Sequence, residues 1–136
     1  MYEKPFKLEI ITPRSIVYQA DATSVSAPGV KGGFQVLYNH APFLSALETG
    51  VIKVKDATGN DASYATSGGF VEVKDNKVVV LVESAELPGE IDVERAVAAR
   101  DRAIQRLKSK SPDVDVERAR AALIRALNRL RLAGRV

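Results

Sequence analysis

No cysteine occurs among the 136 residues, so neither a disulfide framework nor a thiolate metal site is available. One histidine, His40, is too few for an imidazole zinc cluster. No apolar run approaches the ~18 residues that a membrane span needs, and no charged n-region leads into an apolar signal core. A G-x-x-x-x-G-K-[ST] phosphate loop is also missing; "GVKGG" (29–33) lacks both its spacing and its terminal Lys-Ser/Thr. No carboxylate pair is spaced to hold magnesium and activate water, and no Ser-His-Asp set is available for His40 to complete. These absences describe a soluble intracellular chain that binds rather than catalyses.

Apolar residues make up 46% of the chain, enough for a real core. The length suits one compact domain or one domain with a helical appendage. The net charge of +3 hides an asymmetry. Residues 1–90 carry 8 Lys+Arg against 11 Asp+Glu, whereas residues 91–136 carry 12 against 6. A mildly acidic body therefore precedes a basic tail, and such a tail calls for an acidic counterpart. Nucleic acid, an acidic protein surface and a phosphorylated ligand are the candidates.

Residues 1–88 alternate short β-like runs with turn residues. "FKLEIIT" (6–12) sets Phe6, Leu8 and Ile10 against Lys7, Glu9 and Ile11. "SIVYQA", "ATSVSA", "FQVLY", "FLSALE", "VIKVK", "SYATS", "FVEVK" and "KVVVLVE" follow. Asp75-Asn76 is a two-residue hairpin connection, because both residues tolerate positive φ. "DATGN" (56–60) joins two further strands. The pattern predicts a mainly β sandwich or barrel of about ten short antiparallel strands. After Pro88-Gly89 the period changes. Val93, Val97, Ile104 and Leu107 fall at helical spacing, and so do Val116, Leu123, Leu127 and Leu130. Between them "SKSPDVD" (109–115) breaks the helix at Pro112, and Gly134 stands where a C-terminal cap belongs. Residues 89–136 are thus expected as an antiparallel two-helix hairpin, making the chain α+β overall.

The hairpin contains a near duplication, "IDVERA" (91–96) and "VDVERA" (114–119). Asp92 and Asp115 suit helix N-caps, with Glu94 and Glu117 favouring the positive helix end. A capping motif that occurs twice does not by itself indicate a ligand. The arginines add a second consideration. At ~100° per residue, Arg95, Ala99, Arg102 and Arg106 share one side of the first helix. Arg118, Ala122, Arg125 and Arg129 share one side of the second. A turn near 110–112 sets position 95 opposite about 127, so Arg95 meets Arg125 and Arg129. Converging cations need an anion, and guanidinium forks suit phosphate oxygens. The spacing predicts a polyphosphate between the helices, or a hairpin that opens without one.

Several stretches also carry a resemblance: "LEIITP" (8–13), "APGVKGGFQVLYNHAPFLSALETG" (27–50), "SGGFVEV" (67–73) and "IDVERA" (91–96). Together they resemble the epsilon subunits of bacterial F-type ATP synthases, along essentially the whole chain. The resemblance implies a non-catalytic central-stalk subunit, peripheral to the cytoplasmic side of the cell membrane. Its sandwich would bind the gamma subunit and the c ring, with Gly33 and His40 at that rotor interface. Its hairpin would inhibit ATP hydrolysis when extended toward the alpha and beta subunits. Where the family often has an acid beside the "GGF" loop, this chain has Gly33. Gln35 and Tyr38 replace the familiar glycine and proline around "VL". In members with Ile/Leu-Asp-x-x-Arg-Ala, the folded hairpin binds ATP. Ile91, Asp92, Arg95 and Ala96 match that motif, and Arg102, Arg125 and Arg129 match its further arginines. Glu86 matches a ligand-contacting acid. By this reading Glu86 and the backbone near Ile91 and Asp92 read the adenine edge, and the arginines hold the phosphates, with or without magnesium.

A nucleic-acid-binding module using the basic hairpin is the rival reading. The segment 91–136 has no aromatic residue to stack on bases. The expectation is therefore no nucleic-acid partner.

Overall fold

The structure is a computed structural model and describes residues 4–135. It divides into two compact units, one ending at Leu87 and the other beginning at Pro88.

The first unit holds nine strands among the described residues: β1 (Phe6–Ile11), β2 (Ile16–Ala27), β3 (Phe34–Val36), β4 (Phe43–Leu47), β5 (Gly50–Asp56), β6 (Asp61–Thr66), β7 (Gly69–Lys74), β8 (Lys77–Val82) and β9 (Ala85–Glu86). They form one hydrogen-bonded path, β4-β7-β8-β1-β2-β5-β6-β9, with β3 on β2. Alternation drives the burial: Phe6, Leu8 and Ile10 point inward with Ile52, Val54, Val71, Val73, Val78 and Val80 into one core. Each such side chain contributes about 1.5–3 kcal/mol relative to exposure.

The expected β architecture is present, with two differences. The runs at 15–20 and 22–27 are a single strand, β2. Its first half pairs with β1 and its second half with β5 and β3. Register shifts at Ile10/Ile11 and Ala22/Ser24 bend it from one layer to the other. Second, the sheet is not wholly antiparallel, because β1 and β8 run parallel. A long connection separates them in sequence, so no tight turn forces the opposite sense.

The β7–β8 turn is as the residues require, with Asp75 at φ 51 and Asn76 at φ 57. In the β5–β6 turn the Asp56 carboxylate accepts from the Thr58 hydroxyl at 2.7 Å and the Thr58 and Asn60 amides at 2.9 Å. These bonds, led by the Thr58 side chain, hold its pKa below the ordinary value. Gly69 has φ +155, and a Cβ there would overlap the Leu81 carbonyl oxygen. "SGGF" is thus a close backbone approach between neighbouring strands.

The second unit holds α1 (Val93–Lys108) and α2 (Val116–Leu132). The Asp92 side chain accepts from the Arg95 amide at 3.1 Å, and Asp115 repeats this with Arg118 at 3.1 Å. Gly134 takes φ +76 just past the α2 cap. The connection contains a turn closed by Val114 N–H to Ser111 O at 3.3 Å. It is therefore too short to run back along α1, and the packed helices are antiparallel.

The seam differs from the expected Val/Leu stripes. The buried positions are Ala96 and Ala103 on α1 and Ala119 and Ala126 on α2, with Leu130 and Asn128 near the end. Val93, Val97, Ile104, Leu107, Leu123 and Leu127 are half-buried, and Val116 is exposed. Alanines recur seven residues apart on both helices, and small side chains let two backbones approach closely.

Candidate functional site

Helical rotation places each expected hairpin residue relative to the alanine line. Counting ~100° per residue, Arg95, Ala99, Arg102 and Arg106 lie on one flank of α1. Arg118, Ala122, Arg125 and Arg129 lie on the flank of α2 that an antiparallel partner turns to the same side. An antiparallel pairing with Ala96 opposite Ala126 and Ala103 opposite Ala119 sets Ala99 level with position 123, next to Ala122 on this flank. Those two alanines are half-buried, and the arginines stand on either side of them along the pair. Arg95, Arg125 and Arg129 gather toward the end near Ile91, whereas Arg102, Arg106 and Arg118 gather toward the turn.

Four of the carboxylates are engaged elsewhere. Asp92 and Asp115 cap their helices, Asp101 pairs with Arg100 at 3.0 Å, and Glu117 pairs with Arg120 at 2.9 Å. Arg95, Arg102, Arg106, Arg118 and Arg125 are exposed, and among the described residues their guanidinium groups have no carboxylate partner. Arg129 is half-buried and does have an interaction partner. This flank is a row of bidentate donors on a narrow apolar floor. The chemistry that fits it is a polyanion with planar oxygen pairs, such as a polyphosphate.

The remaining expected residues are distributed as follows. Ile91 is buried just ahead of α1, and Ala96 is fully buried in the seam. Asp92 is an N-cap, and its duplicate Asp115 is bonded identically. Glu86 sits half-buried on β9 in the β unit and is itself engaged. Gly33 is exposed before β3. The His40 Nδ1 lies 2.7 Å from the Ala41 carbonyl oxygen, and its ring packs edge-on to Phe43 at 5.7 Å. Its loop is tied down where the Asn39 amide donates to Asn76 Oδ1 at 2.7 Å and Asn76 Nδ2 donates to the Pro5 carbonyl at 3.1 Å. The loop around His40, the β7–β8 turn and the start of β1 therefore share one end of the sandwich.

Among the described residues no group of His, Asp and Glu could hold a metal ion, and no helix is long and apolar enough to cross a membrane. The sequence alone does not display a set of exposed apolar side chains on the sheet, including Phe70 and Leu44. Its one early sign was Ile11, an apolar residue at an outward position of "FKLEIIT".

Comparison with known proteins adds to this geometry. Residues 5–88 match the family model described as ATP synthase, Delta/Epsilon chain, beta-sandwich domain. Residues 90–134 match the Delta/Epsilon chain, long alpha-helix domain. The chain is 45% identical over 113 residues to the ATP synthase epsilon chain of Syntrophomonas wolfei, covering 83% of this chain and 82% of that one. It is 51% identical over 105 residues to the epsilon chain of Nitratidesulfovibrio vulgaris, covering 77% and 78%. A chain of the Euglena gracilis mitochondrial ATP synthase superposes with TM-score 0.73 at 21% identity, covering 99% of this chain and 81% of that one. A chain of the Tetrahymena thermophila mitochondrial ATP synthase central stalk and c ring gives TM-score 0.61 at 17% identity, covering 98% and 99%.

Proposed function

The chain belongs to the ATP synthase delta/epsilon family, whose epsilon chains are non-catalytic subunits, and from that premise we propose how its two units divide the work. The β unit holds the subunit on the rotor, against the gamma subunit and the c ring, with the Gly33 and His40 loops on the ring side. The complex carries it at the cytoplasmic face of the cell membrane as a peripheral protein. The helical unit is a two-state regulator. Folded, it takes ATP on the arginine flank without hydrolysing it; extended, it reaches the alpha and beta subunits and blocks hydrolysis.

One observation supports this reading above the rest: on this flank Arg95, Arg102, Arg106, Arg118 and Arg125 are exposed and, among the described residues, without carboxylate partners, on helices joined by small side chains. Closing the hairpin gathers like charge, and that is unfavourable until an anion neutralises it. Opening separates Arg95 from Arg125 and Arg129 and removes the polyanion site. ATP therefore has differential affinity for the two states, without which no ligand shifts an equilibrium. Ile91, Asp92, Ala96 and Arg102 join the site by their match to the family motif.

Calorimetry with ATP tests the site. Arg125→Ala or Arg129→Ala is expected to weaken binding about tenfold or more, and undiminished affinity refutes the assignment. Truncation after Leu87 tests the regulation: ATPase activity of the assembled head is expected to rise while rotor binding persists. Unchanged hydrolysis refutes the inhibitory role.

A further inference from the structure

The duplication in the hairpin runs well past its hexapeptide. "IDVERAVAARDRAIQRL" (91–107) and "VDVERARAALIRALNRL" (114–130) are identical at eleven of seventeen positions. The identities include the residues that shape the pair: the capping Asp, the seam alanines and the three flank arginines of each helix. Folding keeps the repeat. Asp92 caps α1 at φ -78 and ψ 97, Asp115 caps α2 at φ -82 and ψ 101, and Ala96 and Ala103 are buried as Ala119 and Ala126 are. Two copies of one helix packed antiparallel are related by a two-fold axis. What the repeat builds on one end of the flank, it therefore builds again on the other.

With Ala96 level with Ala126, Arg95 is level with position 127, between Arg125 and Arg129. The same register sets Arg118 level with position 104, between Arg102 and Arg106. The two triads are centred near positions 127 and 118, about 13 Å apart by helical rise, too far for one pyrophosphate to bridge. Arg102, Arg106 and Arg118 are exposed and, among the described residues, without a carboxylate partner. The neighbouring acids are engaged: Asp115 caps α2, Glu117 pairs with Arg120 at 2.9 Å, and Asp101 pairs with Arg100 at 3.0 Å. Of the remaining charges at that end, Asp113 is exposed in the connection and is outnumbered by exposed Lys108 and Lys110.

The two ends differ in what adjoins them, and the difference selects the ligand. Ahead of α1 the repeat begins on Ile91, which is 7% exposed. Ahead of α2 it begins on Val114, half-buried behind a connection, 109–113, that is exposed throughout. That connection, "SKSPD", has no aromatic or large aliphatic side chain for a nucleobase to lie on. Guanidinium forks without a base platform suit a bare tetrahedral oxyanion. We propose that the turn end of the hairpin is a second anion site, where Arg106 and Arg118, with Arg102 beside them, hold inorganic phosphate or pyrophosphate. The proposal rests on the closed-hairpin reading above, but not on ATP binding at the opposite end. Filling the site removes like-charge repulsion from the closed pair, and an open pair has no such site, so the anion favours closure. Arg102, joined above to the nucleotide site by its family match, is by the repeat the counterpart of Arg125 and lies on the inner side of this second site.

Side-chain NMR of the full chain, read at the arginine Nε–H groups, tests it, with phosphate and pyrophosphate each titrated against chloride at equal ionic strength. The Arg106 and Arg118 signals are expected to shift saturably, at about millimolar concentration for forks this exposed. Tighter saturation by pyrophosphate marks a diphosphate site, and equal saturation a monophosphate site. Arg125→Ala with Arg129→Ala is expected to preserve the response. Arg106→Ala with Arg118→Ala is expected to abolish it, as read at Arg102. Arg118→Lys keeps the charge but loses the fork, and is expected to weaken binding about fivefold. All three positions in these turn-end variants are exposed, so the circular dichroism spectrum is expected to stay unchanged. Shifts no larger than those with chloride overturn the site, as does undiminished binding in Arg118→Lys or loss of the response in Arg125→Ala with Arg129→Ala. If ATP fails to bind the wild-type chain while the turn-end response persists, the nucleotide reading fails and this site stands.

Discussion

Ala119 offers a way to perturb the helix pair without touching a proposed ligand residue. It is 2% exposed in the seam, and Arg125 lies six residues farther along α2, about 9 Å by helical rise. Ala119→Leu inserts three carbons where an alanine on the facing helix permits close approach. Overpacking of this kind costs about 1–3 kcal/mol. That cost falls on the closed hairpin alone, because an open α2 leaves the leucine in solvent. If ATP binds only the closed pair, its apparent affinity falls with the closed population. A penalty of about 1–3 kcal/mol then corresponds to roughly 5- to 150-fold weaker binding once the closed form is no longer dominant. Ala121→Leu is the control: it adds the same atoms at an exposed position and is expected to change stability by less than about 0.5 kcal/mol. Isothermal calorimetry reads the affinities, and amide spectra of the β unit show whether the sandwich is undisturbed. Equal ATP affinity in Ala119→Leu and Ala121→Leu, with the seam demonstrably spread, would refute the coupling between closure and binding.

Three further outcomes are expected. Gly69→Ala forces a Cβ onto the Leu81 carbonyl and should cost more than about 2 kcal/mol, whereas Gly59→Ala, with φ +90 but open space around it, should cost about 1 kcal/mol; similar melting temperatures for the two contradict the close approach. The Glu9 carboxylate is held below its ordinary pKa chiefly by the hydrogen bond from Lys77 at 2.8 Å. That contribution is complete above about pH 4.3, the ordinary glutamate value, and drains as the pH falls through the lowered one; urea midpoints of wild type and Lys77→Met should therefore differ at neutral pH and converge in acid. Asp92→Ala and Asp115→Ala each remove one cap bond of the same length, at about 1 kcal/mol apiece; a ligand role for Asp92 predicts that its variant loses about tenfold more ATP affinity in calorimetry, and equal losses leave it as a cap only.

Local chemistry was readable in the sequence because its causes are local. The Asp75-Asn76 turn, the two Asp caps, the Gly134 terminator and the alternation of β1 each depend on residues within one turn or strand. The continuity of β2 was hidden because Asp21 looks like an interruption. In the sheet it faces outward opposite Lys7, a pairing fixed by a different strand. The parallel partnership of β1 and β8 has the same non-local origin. In the hairpin, Val and Leu positions drew attention because burial scales with apolar area. The line of closest approach went instead to alanine, since it is set by how near two backbones can come. The arginine spacing was visible before folding. The exposed apolar set that includes Phe70 and Leu44 was not, because strand pairing brings its members together from separate parts of the chain.

The same small side chains that close the seam would also keep the proposed switch within reach of a ligand. Moving a two-state equilibrium from 1:99 to 99:1 takes about 5.5 kcal/mol of differential binding. Three guanidinium-phosphate contacts give about 1.5–3 kcal/mol each at full strength. Arg95 and Arg125 are exposed, which places them at the low end of that range through solvent screening. Their sum is thus comparable to the required shift, with little in reserve. A seam built on leucine throughout, with the helices set farther apart, would add about 0.8 kcal/mol for each further buried methylene and hold the hairpin shut against loss of the ligand. In the proposed switch, alanine at these positions and arginine on the flank work as one device: the first keeps the two states close in energy, and the second gives a polyphosphate the deciding share.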